Sequence, residues 1–248
     1  STEPAPAGEF EAFGEHVLDN LVAIGDRLAD ASWRPGPLRT VEIPKAQGSG
    51  KRRLDIPSVA DRVAERAVLP VITPVVDPTL QPDSYAFRPC LGVLDAVGAV
   101  QARVDEGADH FVRTVDVSCF ERVPQGARLK TVATLVPDQE LVRILGRCIH
   151  RSGTRGLVQG STLSPLMVNV FLDGLDRELW RRVNPIRYSD DEVVPAAGEL
   201  EAKRAPAMLR RCGPSWGMEL SPTKTGVFAV RSGIDFLGRT IGRNRPTN

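Results

Sequence analysis

The sequence predicts an α+β fold, and three observations carry that reading. Segments with helical periodicity and short β-like runs are interspersed, without the regular βαβ spacing of a doubly wound sheet. One run, Phe111 to Val117, is apolar, rich in β-branched residues and bounded by polar segments, as a buried strand is. With 42% apolar and 25% charged residues, the 248-residue chain has core material for one large or two packed domains.

Taken in order, residues 1–8 are Pro/Ala/Glu-rich and are expected to be disordered. Apolar positions Phe13, Val17, Leu18, Leu21, Ile24 and Leu28 recur at helical steps, predicting one amphipathic helix from Phe10 to Ala31. Two β-like runs, Leu38–Pro44 and Arg53–Pro57, flank the turn Gln47-Gly48-Ser49-Gly50-Lys51 and predict a hairpin with a basic tip. Helices are expected over 59–76 and 91–106, separated by an irregular Pro-rich connection at 77–89. After the buried strand, 130–150 reads as helical with a break near Pro137. Ser164-Pro165 opens a long helix to about Arg182, with proline at a tolerated first-turn position. Ile186–Val194 reads as two strands around a tight turn, 198–212 as a helix, and 227–230 and 236–241 as final short strands.

Composition excludes some classes of function. No apolar run reaches the roughly 18 residues of a membrane span, and the first residues carry no signal-peptide pattern. Cys90, Cys119, Cys148 and Cys212 are dispersed, which argues against zinc or a disulfide framework. Each is read as a small buried apolar residue, and a cytoplasmic location is expected. Net charge is +1 but is unevenly spread. Residues 1–139 hold 15 Lys+Arg against 20 Asp+Glu, and residues 140–248 hold 17 against 11. Arg outnumbers Lys 27 to 5, which suits phosphate recognition but also follows from codon bias.

The chemistry-bearing features are acidic. Adjacent carboxylates in a strand point to opposite faces, but at a hairpin turn at least one projects from the strand end, as expected for Asp190-Asp191. Asp116 ends the most apolar strand and needs a cation or a charged partner. If the two strands are neighbours, Asp116 and Asp190 form an oxygen-ligand site suited to Mg²⁺. Two such ions about 3.5–4 Å apart activate an attacking hydroxyl and stabilise a leaving phosphate oxygen. The competing reading of the acid pair is a solvated turn.

Seven segments resemble, in order, the reverse transcriptases of the bacterial group II intron type. They are IPKAQGSGKRRLDIPSVADRV (43–63), DSYAFRP (83–89), TVDVSCFERVP (114–124), VQGSTLSPLMVNVFLDGLD (158–176), RYSDD (187–191), LSPTKT (220–225) and FLG (236–238). The resemblance implies a right-hand polymerase, mainly fingers over 9–110 and mainly palm over 111–238. It implies that Asp116, Asp190 and Asp191 are catalytic and hold two Mg²⁺ (or Mn²⁺) ions, with the Val117 carbonyl as a further ligand. Lys45, Arg52 and Arg53 would grip the triphosphate. Gln159 and Gly160 would lie against the template–nucleotide pair, Phe120 would act as a steric gate under the sugar, and Lys224 would donate to pyrophosphate. Arg88 and Tyr188 would contact nucleic acid. For these residues the competing readings are basic turns, loops and core packing.

The chain also departs from the family. The 114–124 segment fits the family pattern only with a one-residue gap, Glu192 adds a third acid where the family has an apolar residue, and residues 239–248 read as a basic tail with no thumb. The expected function is RNA-directed DNA polymerase acting on an RNA template, a DNA primer and deoxynucleoside triphosphates. Expected partners include a protein that supplies the missing thumb or, as in CRISPR-associated reverse transcriptases, an adaptation complex. The alternative is a reverse-transcriptase-like domain that binds nucleic acid or a partner, with weak or lost polymerisation.

Overall fold

The computed structural model describes residues 8–44, 51–115, 119–152, 156–212, 221 and 225–242. These form two compact units, one built from 1–78 and 123–167, the other from 79–122 and 168–248.

In the first unit the expected N-terminal helix is two, α1 (Glu9–Glu15) and α2 (Val17–Ala29). The chain leaves helical geometry at His16 (φ −128°, ψ 38°). Gly14, a poor helix former, sits just before this break, and the Asn20 side chain donates to the Phe13 carbonyl at 3.0 Å. Strands β1 (Arg39–Pro44) and β2 (Lys51–Ile56) pair antiparallel in one register from Arg39↔Ile56 to Pro44↔Lys51. The expected turn at their tip lies outside the described residues, apart from Lys51. Helix α3 (Val59–Val76) starts at Ser58, whose hydroxyl accepts from the Asp61 amide at 3.1 Å. Helix α6 (Gln125–Leu135) begins five residues before the expected start at 130, and α7 (Gln139–Ile149) follows the predicted break. Asp138 caps α7 by accepting from the Glu140 and Leu141 amides.

The second unit is organised by an antiparallel sheet in the order β4-β5-β3-β6: β4 (Ile186–Tyr188), β5 (Asp191–Ala196), β3 (His110–Val115) and β6 (Gly226–Ala229). Strand β3 is the buried run that the sequence predicts. Period-2 alternation gives the sheet two differently used faces. Phe111, Ile186 and Val193 pack with Ala96, Val100 and Val104 of α4 (Val93–Asp105) and with Phe236 and Ile241 of the β7 (Ile234–Phe236)–β8 (Arg239–Ile241) hairpin. Their neighbours Arg187 and Glu192 are buried but polar. Helix α9 (Glu199–Cys212) packs on β3, β5 and β6. A four-residue helix, α5 (Cys119–Arg122), has no counterpart in the sequence reading. Helix α8 (Ser164–Val183) runs from the first unit into the second.

Two further expectations need comment. Cys148 is buried as expected, and burial pushes its thiol up to about 12. Cys90 is exposed and adopts φ 60°, so the buried-residue reading fails there. A loop of left-handed backbone presents its side chain outward, which residue type alone does not encode. Among the described residues no helix is long and apolar enough to cross a membrane.

Candidate functional site

Strands β4 and β5 are joined by the two-residue turn Ser189-Asp190, with Tyr188 opposite Asp191. Ser189 has φ 58°, a left-handed conformation that costs a non-glycine residue about 1–2 kcal/mol. Such tight turns match the right-handed twist of the strands they join, which is why a strained residue is tolerated there. Asp190 therefore stands at the hairpin tip. Its carboxylate makes no hydrogen bond or ion pair with any of the described residues.

Asp191 is held differently. Its Oδ1 accepts from Arg113 Nη2 at 3.0 Å, and Arg113 Nη1 donates to the Asp235 carbonyl at 3.0 Å. Among the described residues, two acids adjacent in sequence are thus one without a partner and one ion-paired. Strand β3 lies beside β5 with Val115 opposite Asp191. Asp116 and Val117, which follow Val115 in the chain, lie outside the described residues.

Glu192 neither faces solvent nor shares the Asp191 face. It is buried, and Thr114 Oγ1 donates to its Oε2 at 3.3 Å while Oε1 has no hydrogen-bond partner among the described residues. Burial pushes its carboxyl up to about 7, Asp176 adds to the rise, and Arg187 and the Thr114 hydroxyl oppose it. Arg187 forks onto Asp176, with Nε at 2.9 Å from Oδ1 and Nη2 at 2.7 Å from Oδ2. Burial raises the Asp176 pKa, and Arg187 pulls it back. Neither Arg113 nor Arg187 was singled out from sequence. The available signal was an arginine inside the apolar run FVRTV, and another beside the acid turn, each needing a partner.

The other predicted residues divide between the units. Tyr188 is half-buried and packs against the core cluster beneath the sheet. Phe120 is half-buried on α5. Arg88 donates to the Gln81 and Ser84 carbonyls at 2.9 and 2.8 Å, which closes its own loop. That loop lies along β4, where Tyr85 N donates to the Arg187 carbonyl and Arg187 N to the Asp83 carbonyl. Arg52 and Arg53 lie on β2 opposite Ile43 and Glu42, their side chains outside the description. Lys45 and Lys224 lie outside the described residues.

In the first unit Gln159 and Gly160 precede α8, and Gly160 is pressed onto the end of β2. A Cβ there would meet the Asp55 carbonyl oxygen at 3.0 Å and Ile56 Cα at 3.2 Å. This close backbone approach is made within its own unit. The following residues are held by buried Glu65, whose Oε2 accepts from Ser161 Oγ at 2.8 Å and Thr162 N at 2.9 Å. Arg151 pairs with Asp61 at 2.9 Å beside it.

The donors at the hairpin tip are carboxylate oxygens, the ligand type of hard divalent ions. The unpaired Asp190 carboxylate fits such an ion. Among the described residues no group of three or more candidate ligands occurs. Residues 43–241 match the family described as reverse transcriptase (RNA-dependent DNA polymerase). The chain belongs to this family. It is 30% identical to Protein YkfC of Escherichia coli (strain K12), over 91% of this chain and 72% of that protein. It is 24% identical to the group II intron-encoded protein LtrA of Lactococcus lactis subsp. cremoris, over 81% of this chain but 35% of LtrA. Its reverse transcriptase relationship is therefore of the group II intron type. Among solved structures, telomerase from Candida albicans, in complex with a fragment of telomeric RNA, matches with a TM-score of 0.65 at 14% identity. That match covers 86% of this chain and 46% of the telomerase. Telomerase from Candida Tropicalis matches with a TM-score of 0.66 at 11% identity, over 84% of this chain and 44% of that one. At these identities the likeness is one of fold, the palm and fingers of a right-hand polymerase.

Proposed function

We propose that this reverse transcriptase domain extends a DNA primer on an RNA template by two-metal nucleotidyl transfer. The observation that carries the reading is the Asp190 carboxylate, without a partner among the described residues, on a strained two-residue turn beside the strand that leads into Asp116. Asp116, Asp190 and the Val117 carbonyl would hold two divalent ions, Mg²⁺ before Mn²⁺, with Asp191 beside them. Bound there, such ions would lower the pKa of the attacking hydroxyl and would neutralise charge on the phosphates. In the reaction the primer 3′-oxygen bonds to the α-phosphorus of the nucleotide, and the bond to pyrophosphate breaks. Lys45, Arg52 and Arg53 would grip the triphosphate, and Lys224 would supply a proton to the leaving pyrophosphate. Phe120 would exclude a 2′-hydroxyl, Gln159 and Gly160 would orient the nucleotide against the template, and Arg88 and Tyr188 would contact nucleic acid. This work is positioning and charge stabilisation, which is most of what phosphoryl transfer asks of a protein.

The test is primer extension on an RNA template with Mg²⁺, comparing the chain with Asp190→Ala. Extension is expected to disappear in the variant. Extension that survives would overturn the assignment.

One observation favours a second reading. The Arg113–Asp191 pair already neutralises one of the two adjacent acids, which leaves less negative charge at the hairpin tip to hold two cations. That reading predicts affinity falling steeply with salt and no incorporation with either ion.

A further inference from the structure

We propose that Arg187 is a positioning residue for Asp190, fixing the turn that presents its carboxylate; this rests on the polymerase reading above. Arg187 is 3% exposed, and its guanidinium reaches Asp176, Ser84, Asn169 and Ser189. Nε and Nη2 hold Asp176, with Nε at 2.9 and 3.0 Å from the two carboxylate oxygens and Nη2 at 2.7 Å from Oδ2. Nη2 also donates to Ser84 Oγ at 2.7 Å. Nη1 donates to Asn169 Oδ1 at 3.2 Å and to the Ser189 carbonyl at 3.1 Å. Asn169 is oriented in turn, since its Nδ2 donates to the Ala86 carbonyl at 2.7 Å.

The contact to Ser189 sets the geometry of the acid. The Ser189 carbonyl and the Asp190 amide belong to one rigid peptide plane. Holding that oxygen fixes ψ at Ser189 and φ at Asp190, in a turn whose first residue is already left-handed at φ 58°. The remaining partners hold the guanidinium against α8 and the 83–86 segment, so the plane is referred to two elements at once. Lysine cannot reproduce this, because an ammonium lacks the planar fork that spans these partners.

The experiment uses the full chain and reads Mn²⁺ binding, by electron paramagnetic resonance of the free ion without nucleotide, alongside primer-extension kinetics and melting temperature. Arg187→Lys is expected to weaken Mn²⁺ binding by about 10–100-fold, the usual loss when a partner that orients a metal ligand is removed. It is expected to lower kcat about 100-fold, as a misplaced reacting group does, with KM for the nucleotide changed less than about 3-fold. Val100→Ala, in the core beneath the opposite face of the sheet, is the control with lowered stability and an intact fork. It should keep both Mn²⁺ binding and kcat. Should Arg187→Lys not fold, Asn169→Ala loosens the same Nη1, with about 10-fold weaker Mn²⁺ binding expected. Unchanged Mn²⁺ binding in the folded Arg187 variant, or in Asn169→Ala when that substitutes for it, overturns the positioning role. So does an equal loss in Val100→Ala. Failure of the underlying reading has a different signature: Asp190→Ala itself extends primers normally.

Discussion

The two hairpins that carry proposed site residues are built on opposite principles. The β4–β5 hairpin presents its acid from a two-residue turn, backed by a buried, forked arginine and a carboxylate. The β1–β2 hairpin displays its charge at the surface, where Lys51 Nζ lies 2.9 Å from Glu42 Oε2 with both side chains more than half exposed. Each partner steadies the other's charge, lowering the Glu42 pKa and raising that of Lys51. Water and salt screen such a pair, and it contributes little to rigidity. A metal site tolerates little displacement of its ligands. A grip on a flexible triphosphate needs cations within reach but not locked.

The comparison is broken most directly at Asp176. Asp176→Ala removes the forked carboxylate from the buried Arg187 charge, and denaturant titration should show a loss of about 3–5 kcal/mol. A loss below about 1 kcal/mol would mean that the β4–β5 hairpin is no better anchored than the surface one. Next is Gly160→Ala, which drives a methyl group into the Asp55 carbonyl at the root of β2. A cost of about 1–3 kcal/mol is expected from overpacking, with β2 losing amide protection in hydrogen exchange. That result would locate the firm part of the β1–β2 hairpin at its base, away from its charges.

A smaller effect comes from pH. The folded Glu192 carboxyl sits near 7 against an ordinary 4.5, so the folded state favours its protonated form. Its stabilising contribution is fully present below about 4.5 and is lost as pH rises through about 7. Melting temperatures from pH 5 to 8 should fall in the parent chain and fall less in Glu192→Gln. Equal slopes would show that this acid is not coupled to folding. The smallest change is expected from Glu42→Ala, whose melting midpoint should match the parent's at 0.15 M salt, where exposed charges are screened.

Much of this architecture was legible in the sequence because it is written in local patterns. The turn at 189–190, the strand through Phe111 and the break at Pro137 follow from residue types that act over a few positions. The N-terminal helix was over-extended because amphipathic periodicity continues across His16 while the backbone does not. The early start of α6 and the short α5 carry too little periodic signal to be found. The acid pair was legible as a pair, but the roles of its members were not. Which acid is ion-paired depends on Arg113, 78 positions away in the chain, and no local pattern encodes that contact.

By itself, the sequence determined the family, most of the helices and strands, and the acid pair proposed to carry the chemistry, because motif spacing and periodicity are properties of neighbouring residues. Only the tertiary structure decided that Asp190 has no partner among the described residues while Asp191 is matched, that Glu192 turns inward, and that Arg187 grips the turn. The pleat sends successive side chains to opposite faces, and each meets partners brought from distant segments by the packing of the sheet.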